Sequence, residues 1–140
     1  MKTKLPKILL IDDSEADNFL TKRVIKKADV VEEVIVKYSG QDALDYLTSK
    51  SESEEEYPNP ELIFLDINMP GMNGWEFLEK YRALDKSMRK GIVICMLTTS
   101  YAESDRQKAK ELGVVQTFTH KPMTKAELLN IIEEHYPDRV

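Results

Sequence analysis

The sequence has a single cysteine, Cys95. No internal disulfide is therefore possible. Cys95 lies in IVICML and reads as a small buried hydrophobe. The only histidines, His120 and His135, are far apart, so no Cys/His cluster has the spacing of a zinc site. His120 reads as a structural or exposed strand-end residue, and His135 as a solvated one. No apolar run approaches the roughly 20 residues that a membrane helix needs. The N-terminal MKTKLPKILLIDD pairs basic residues with a short apolar run, but Asp12 and Asp13 break that run, which argues against a signal peptide. A reduced, cytoplasmic chain is expected. Basic excess is missing too. Net charge is −5, and Glu52, Glu54, Glu55 and Glu56 supply most of it. Without a basic stripe, direct nucleic-acid binding is not expected. The pattern GxxxxGK[ST] is also absent, which excludes a P-loop nucleotidase even though Asp66 ends an apolar run as a Walker B carboxylate does.

What is present is an ordinary globular balance, 41% hydrophobic and 32% charged over 140 residues, enough for one domain with one core. Apolar runs alternate with helical patterns. KILLI (7–11) reads as a first strand, continuous rather than alternating, as in a parallel sheet buried on both faces. Ser14 starts a helix with Asp17 three residues on, and Phe19, Leu20, Val24 and Ala28 share one face. EVIVKY (33–38) is a second strand. Ser39-Gly40 opens a second helix with Ala43, Leu44 and Leu47 inward. Residues 49–60 form a polar, acidic loop that prolines close. ELIFLD is the third strand, and Asn73-Gly74 starts a third helix bearing Leu78, Tyr81 and Leu84. GIVICMLT (91–98) is the fourth strand. A fourth helix runs from about Glu103 to Leu112, and Gly113 ends it. VQTFTH is a short fifth strand. Thr124 to Glu127 is a capping box for a last helix carrying Leu128, Leu129 and Ile132. Five such βα units predict a doubly wound parallel sheet between helices, a three-layer sandwich.

In such a fold, ligands bind beyond the carboxyl ends of the strands. Those ends carry Asp12-Asp13, Asp66, Thr98-Thr99-Ser100 and Lys121-Pro122. Carboxylates gathered there repel one another unless a cation intervenes. Mg²⁺ suits a few carboxylates, a carbonyl and waters. A lysine beside it is what phosphoryl chemistry requires, and Asp66 is placed to be a nucleophile forming an acyl phosphate. Each piece alone is weak. The set, in this order, is specific.

These residues resemble the receiver domains of two-component response regulators, and the resemblance covers nearly the whole chain. It implies a flavodoxin-like (βα)₅ fold and phosphorylation by a histidine kinase or histidine phosphotransfer protein. Asp66, in LDINMPGMNG, matches the phosphoacceptor. Asp13 matches a direct Mg²⁺ ligand, Asp12 one that acts mainly through water, and the Asn68 backbone carbonyl a further ligand. Thr98 matches the switch hydroxyl, with Thr99 adjacent. Lys121 matches the phosphate-binding lysine, with a cis bond to Pro122. Phe118 matches the switch aromatic, where many relatives carry tyrosine. Asn68 and Ser100 match the positions that tune the lifetime of the phosphoryl group. Only Asp138-Arg139-Val140 follow the last helix, so a stand-alone receiver spanning 1–140 is expected, without an output domain. It would be a monomer or a phosphorylation-dependent dimer, not an enzyme acting on other substrates. The face built by the helix at 103–112, the fifth strand and the last helix would change its affinity for a downstream protein. An aspartyl-phosphate phosphatase of the haloacid-dehalogenase type needs Asp-x-Asp, and Asn68 stands at the second position. A pseudo-receiver scaffold is disfavoured by the complete set Asp12, Asp13, Asp66, Thr98 and Lys121.

Overall fold

The computed structural model describes residues 4–49, 60–89, 91–98 and 103–137. Five strands, β1 (Leu5–Ile11), β2 (Val31–Lys37), β3 (Leu62–Asp66), β4 (Val93–Thr98) and β5 (Thr117–His120), form one sheet. Every neighbouring pair is parallel, in the order β2-β1-β3-β4-β5. The helices are α1 (Glu15–Ala28), α2 (Gly40–Ser49), α3 (Gly74–Arg82), α4 (Lys86–Arg89), α5 (Glu103–Leu112) and α6 (Lys125–His135).

Side chains alternate across each strand, so one run of apolar residues feeds two cores. Leu9, Ile11, Ile63, Leu65, Ile94 and Met96 face α2, α3 and α5, meeting Leu47, Phe77, Leu78 and Ala109. Ile8, Leu10, Leu62, Phe64, Cys95 and Leu97 face α1 and α6, meeting Ile25, Leu128, Ile131 and Ile132. Nearly all are fully buried, and each such side chain contributes roughly 1.5–3 kcal/mol. Cys95 behaves as expected. Burial pushes its thiol up, first of all by desolvation and then by the charge of Glu127.

Helix α1 departs from expectation. Its inward residues are Asn18, Thr21 and Ile25, while Phe19 is 65% and Leu20 48% exposed. The reason is a polar anchor. Asn18 Nδ2 donates to the Asp12 carbonyl at 2.8 Å, and this bond turns the helix so that Val24 and Ala28 are only partly covered. Other differences are smaller. The short helix α4 is not evident from periodicity. β1 and β2 begin two residues earlier than expected, and β4 and β5 two residues later. Ahead of β4, Gly91 turns at φ +78. Ahead of β5, Gln116 replaces ladder partners: its N–H donates to the Ile94 carbonyl and its Oε1 accepts from Ile94 N–H at 2.7 Å. His135 is half-buried rather than solvated. No described helix is long and apolar enough to cross a membrane.

Candidate functional site

The strand order reverses between β1 and β3, so this edge is the switch point of the sheet. Ile11 pairs with Leu65 there, and the next residues on each strand are Asp12 and Asp66. Carboxylate oxygens of Asp12, Asp13 and Asp66 all lie within 4.8 Å of one another. Asp12 and Asp66 are buried, Asp13 exposed. Backbone donors fix the cluster. Asp12 N–H donates to the Lys37 carbonyl, and Ser14 N–H donates to Asp12 Oδ1 at 3.0 Å. Ser14 also caps α1, accepting from Asp17 N–H at 3.1 Å.

Lys121 enters from the far side of the sheet. Its backbone N–H donates to the Thr98 carbonyl at 2.8 Å, so the ends of β4 and β5 move together. The Lys121–Pro122 bond is cis, as the resemblance implied. The ammonium lies 2.7 Å from Asp12, 3.0 Å from Asp17 and 3.1 Å from Asp66.

Charge balance follows from burial and proximity. Burial, then the neighbouring charge of Asp12, raises the Asp66 carboxyl above its ordinary value; Lys121 opposes both, and Asp13 adds a smaller push upward. For Lys121, burial acts to lower the ammonium. Hydrogen bonds to Asp12, Asp17 and Asp66 outweigh it and hold the group above the usual lysine range. The lysine is therefore the cluster's present counter-charge. Three hard oxygen donors at this spacing also fit a divalent cation such as Mg²⁺.

The model of the response regulator receiver domain matches residues 8–133. This chain belongs to that family. Among relatives of this receiver is the response regulator Rcp1 of Synechocystis sp., 36% identical over 76% of this chain and 71% of the relative. Another is sporulation initiation phosphotransferase F of Bacillus subtilis, 32% identical over 94% of both. A two-component response regulator from Cytophaga hutchinsonii shares the fold, with a TM-score of 0.85, 31% identity and coverage of 96% of this chain and 98% of that one. The flavodoxin-like (βα)₅ architecture is thereby established from both sequence and structure.

Within this receiver, Asp12, Asp13, Asp66 and Lys121 converge as the sequence predicts. Thr98 ends β4, buried, paired in register with His120 beside Lys121. Phe118 lies on β5 opposite Met96, partly buried against the core. Asn68 is exposed on the loop after Asp66. Thr99, Ser100, most of the acidic loop 49–60 and Asp138-Arg139-Val140 lie outside the described residues.

Two contributors were not foreseen. Sequence pattern marks Asp17 only as part of a helix start, yet it touches Lys121. The signal was available: side chains in a first helical turn tilt back toward the strand edge that launches the helix. Gly74 is the other. A Cβ there would sit 2.7 Å from the Asp66 carbonyl oxygen and 2.9 Å from Ile67 Cα. Glycine is needed because α3 starts against the end of β3 itself.

Proposed function

We propose that this receiver accepts a phosphoryl group on Asp66 from a histidine kinase or histidine phosphotransfer protein, and that the group switches partner binding or is relayed onward. The observation that carries this is the Lys121 ammonium 3.1 Å from Asp66 Oδ1, in a pocket shared with Asp12 and Asp13. A relative bearing the name phosphotransferase supports a relay role.

An Asp66 oxygen attacks the phosphorus in line. The P–N bond to the donor imidazole breaks, its electron pair leaves with the ring nitrogen, and an acyl phosphate remains. Lys121 favours the ionised carboxylate that this attack needs, against the burial that disfavours it. Asp12, Asp13, Asp66 and the Asn68 carbonyl would hold Mg²⁺, which offsets charge on the phosphoryl oxygens. Thr98 and Lys121 are the donors for those oxygens. The added charge, about −1.5 to −2, draws the Thr98 hydroxyl inward and lets Phe118 rotate. The surface of α5, β5 and α6 then changes its affinity for a partner. The chemistry is confined to the chain's own phosphorylation and hydrolysis, so this is a switch rather than an enzyme for other substrates. It operates in the cytoplasm, where reduced Cys95 persists.

The test is incubation with acetyl phosphate and Mg²⁺, followed by intact-mass measurement. The expected product carries one added phosphoryl group, with acetate released, and Asp66→Asn abolishes it. An unmodified wild-type chain, or an adduct that survives Asp66→Asn, overturns the assignment.

A further inference from the structure

Lys121 offers three N–H donors to three carboxylates, those of Asp12, Asp17 and Asp66. These acceptors are not equivalent. Asp12 and Asp66 belong to the group whose oxygens converge on a cation position, together with Asp13; Asp17 does not. A divalent cation at that position draws on the same Asp12 and Asp66 carboxylates and repels the ammonium. Asp17 is the partner outside that competition.

Its placement is built rather than incidental. The Asp17 N–H is held by the Ser14 side chain, which fixes the first turn of α1. Asn18, next along, donates to the Asp12 carbonyl, which fixes the rotation of the helix. Asp17 is thus locked over the pocket from the α1 side, while Lys121 is tethered from the β4–β5 side through Thr98. The lysine side chain is 12% exposed and that of Asp17 41%. The ammonium therefore stays inside, while Asp17 keeps contact with water.

We propose that Asp17 is a positioning residue for Lys121, retaining the ammonium beside Asp66 when a cation fills the acidic cluster. This rests on the assignment of Asp66 as phosphoacceptor. One N–H stays on Asp17, and the other two are left to meet phosphoryl oxygens. Because the pair is partly exposed, its loss is expected to slow phosphorylation by a factor of about 5.

The direct readout does not depend on phosphorylation. In protein labelled with ¹⁵N-lysine, the Lys121 ammonium resonance, assigned by its disappearance in Lys121→Ala, should remain visible at saturating Mg²⁺. In Asp17→Asn it should be visible without metal, which also shows that the variant folds, and lost when Mg²⁺ is added. Persistence in Asp17→Asn with Mg²⁺ overturns the proposal. Kinetics with acetyl phosphate supply the second readout. Asp17→Asn slows adduct formation, Asp17→Glu restores it, and Asp17→Asn adds nothing in a Lys121→Ala background. Equal rates in wild type and Asp17→Asn also overturn the proposal. A wild-type chain that forms no adduct rejects the acceptor assignment instead, and the ammonium spectra still decide whether Asp17 holds Lys121.

Discussion

The β3–α3 loop and the β5–α6 loop carry the two opposite charges of the site, Asp66 and Lys121. They are alike only where each enters its helix. Both close on a reciprocal capping box, Asn73 with Glu76 and Thr124 with Glu127. Before the cap they differ. The first loop is held by backbone against backbone. Gly74 N–H donates to the Ile67 carbonyl at 2.8 Å, and there is no room for a side chain between α3 and the Asp66 carbonyl. The second has one backbone tie, Lys121 N–H to the Thr98 carbonyl, and is otherwise held by side chains. Thr119 Oγ1 donates to Glu127 Oε2 at 2.6 Å, and this bond, opposed by burial and helped by Thr124, holds the Glu127 carboxyl below its usual range. Among the described residues, only carboxylates fix the tip of Lys121. Asp66 is thus anchored by close-packed backbone. The cation is anchored by charges that can be exchanged.

If that contrast holds, the largest stability change should come from the exchangeable side. Lys121→Ala leaves buried Asp12 and Asp66 without their counter-charge, at a cost of roughly 3 kcal/mol. Chemical denaturation in chelator should detect this, and Mg²⁺ should recover most of it. A loss that Mg²⁺ does not relieve would show that the lysine matters for packing rather than charge. Gly74→Ala tests the rigid side. Overpacking against the Asp66 carbonyl should cost about 2 kcal/mol, and Mg²⁺ should leave that cost unchanged. Metal-dependent recovery in Gly74→Ala would erase the distinction between the loops. The smallest effect at neutral pH is expected farther along α3, at Tyr81. Burial, partly countered by Arg89, raises its hydroxyl from 10.0 to about 12. A raised value favours the neutral phenol in the folded chain. That contribution is complete below about pH 10 and is lost as pH rises toward 12, with a limiting slope of about 1.4 kcal/mol per unit. Tyr81→Phe should flatten the alkaline arm of the stability curve. An arm of unchanged steepness would mean that α3 is less firmly seated than its burial indicates.

The strands and the charged ends of the site were legible in the sequence because each depends on local pattern. Continuous apolar runs mark strands buried on both faces, and the edge of a parallel sheet collects whatever follows them. The capping box at Thr124 was legible for the same reason. The rotation of α1 was not. Apolar spacing favoured Phe19 and Leu20, but one bond from the Asn18 side chain to the Asp12 carbonyl, at the end of the preceding strand, outweighed it. Asp17 escaped notice as a partner of Lys121 because the pair is 104 residues apart. Gly74 looked like turn chemistry, whereas its real constraint is the proximity of Asp66. In each case the missing information was a distance between segments, which composition and periodicity do not carry.

Cys95 stands in the middle of β4 with no exposed surface. Since it is the sole thiol of the chain, its rate of capture by an alkylating reagent is a stopwatch for one event, the opening of the central sheet. Any effect of added Mg²⁺ or a phosphoryl donor on that opening can then be timed from the inside of the protein, without a label at the pocket itself.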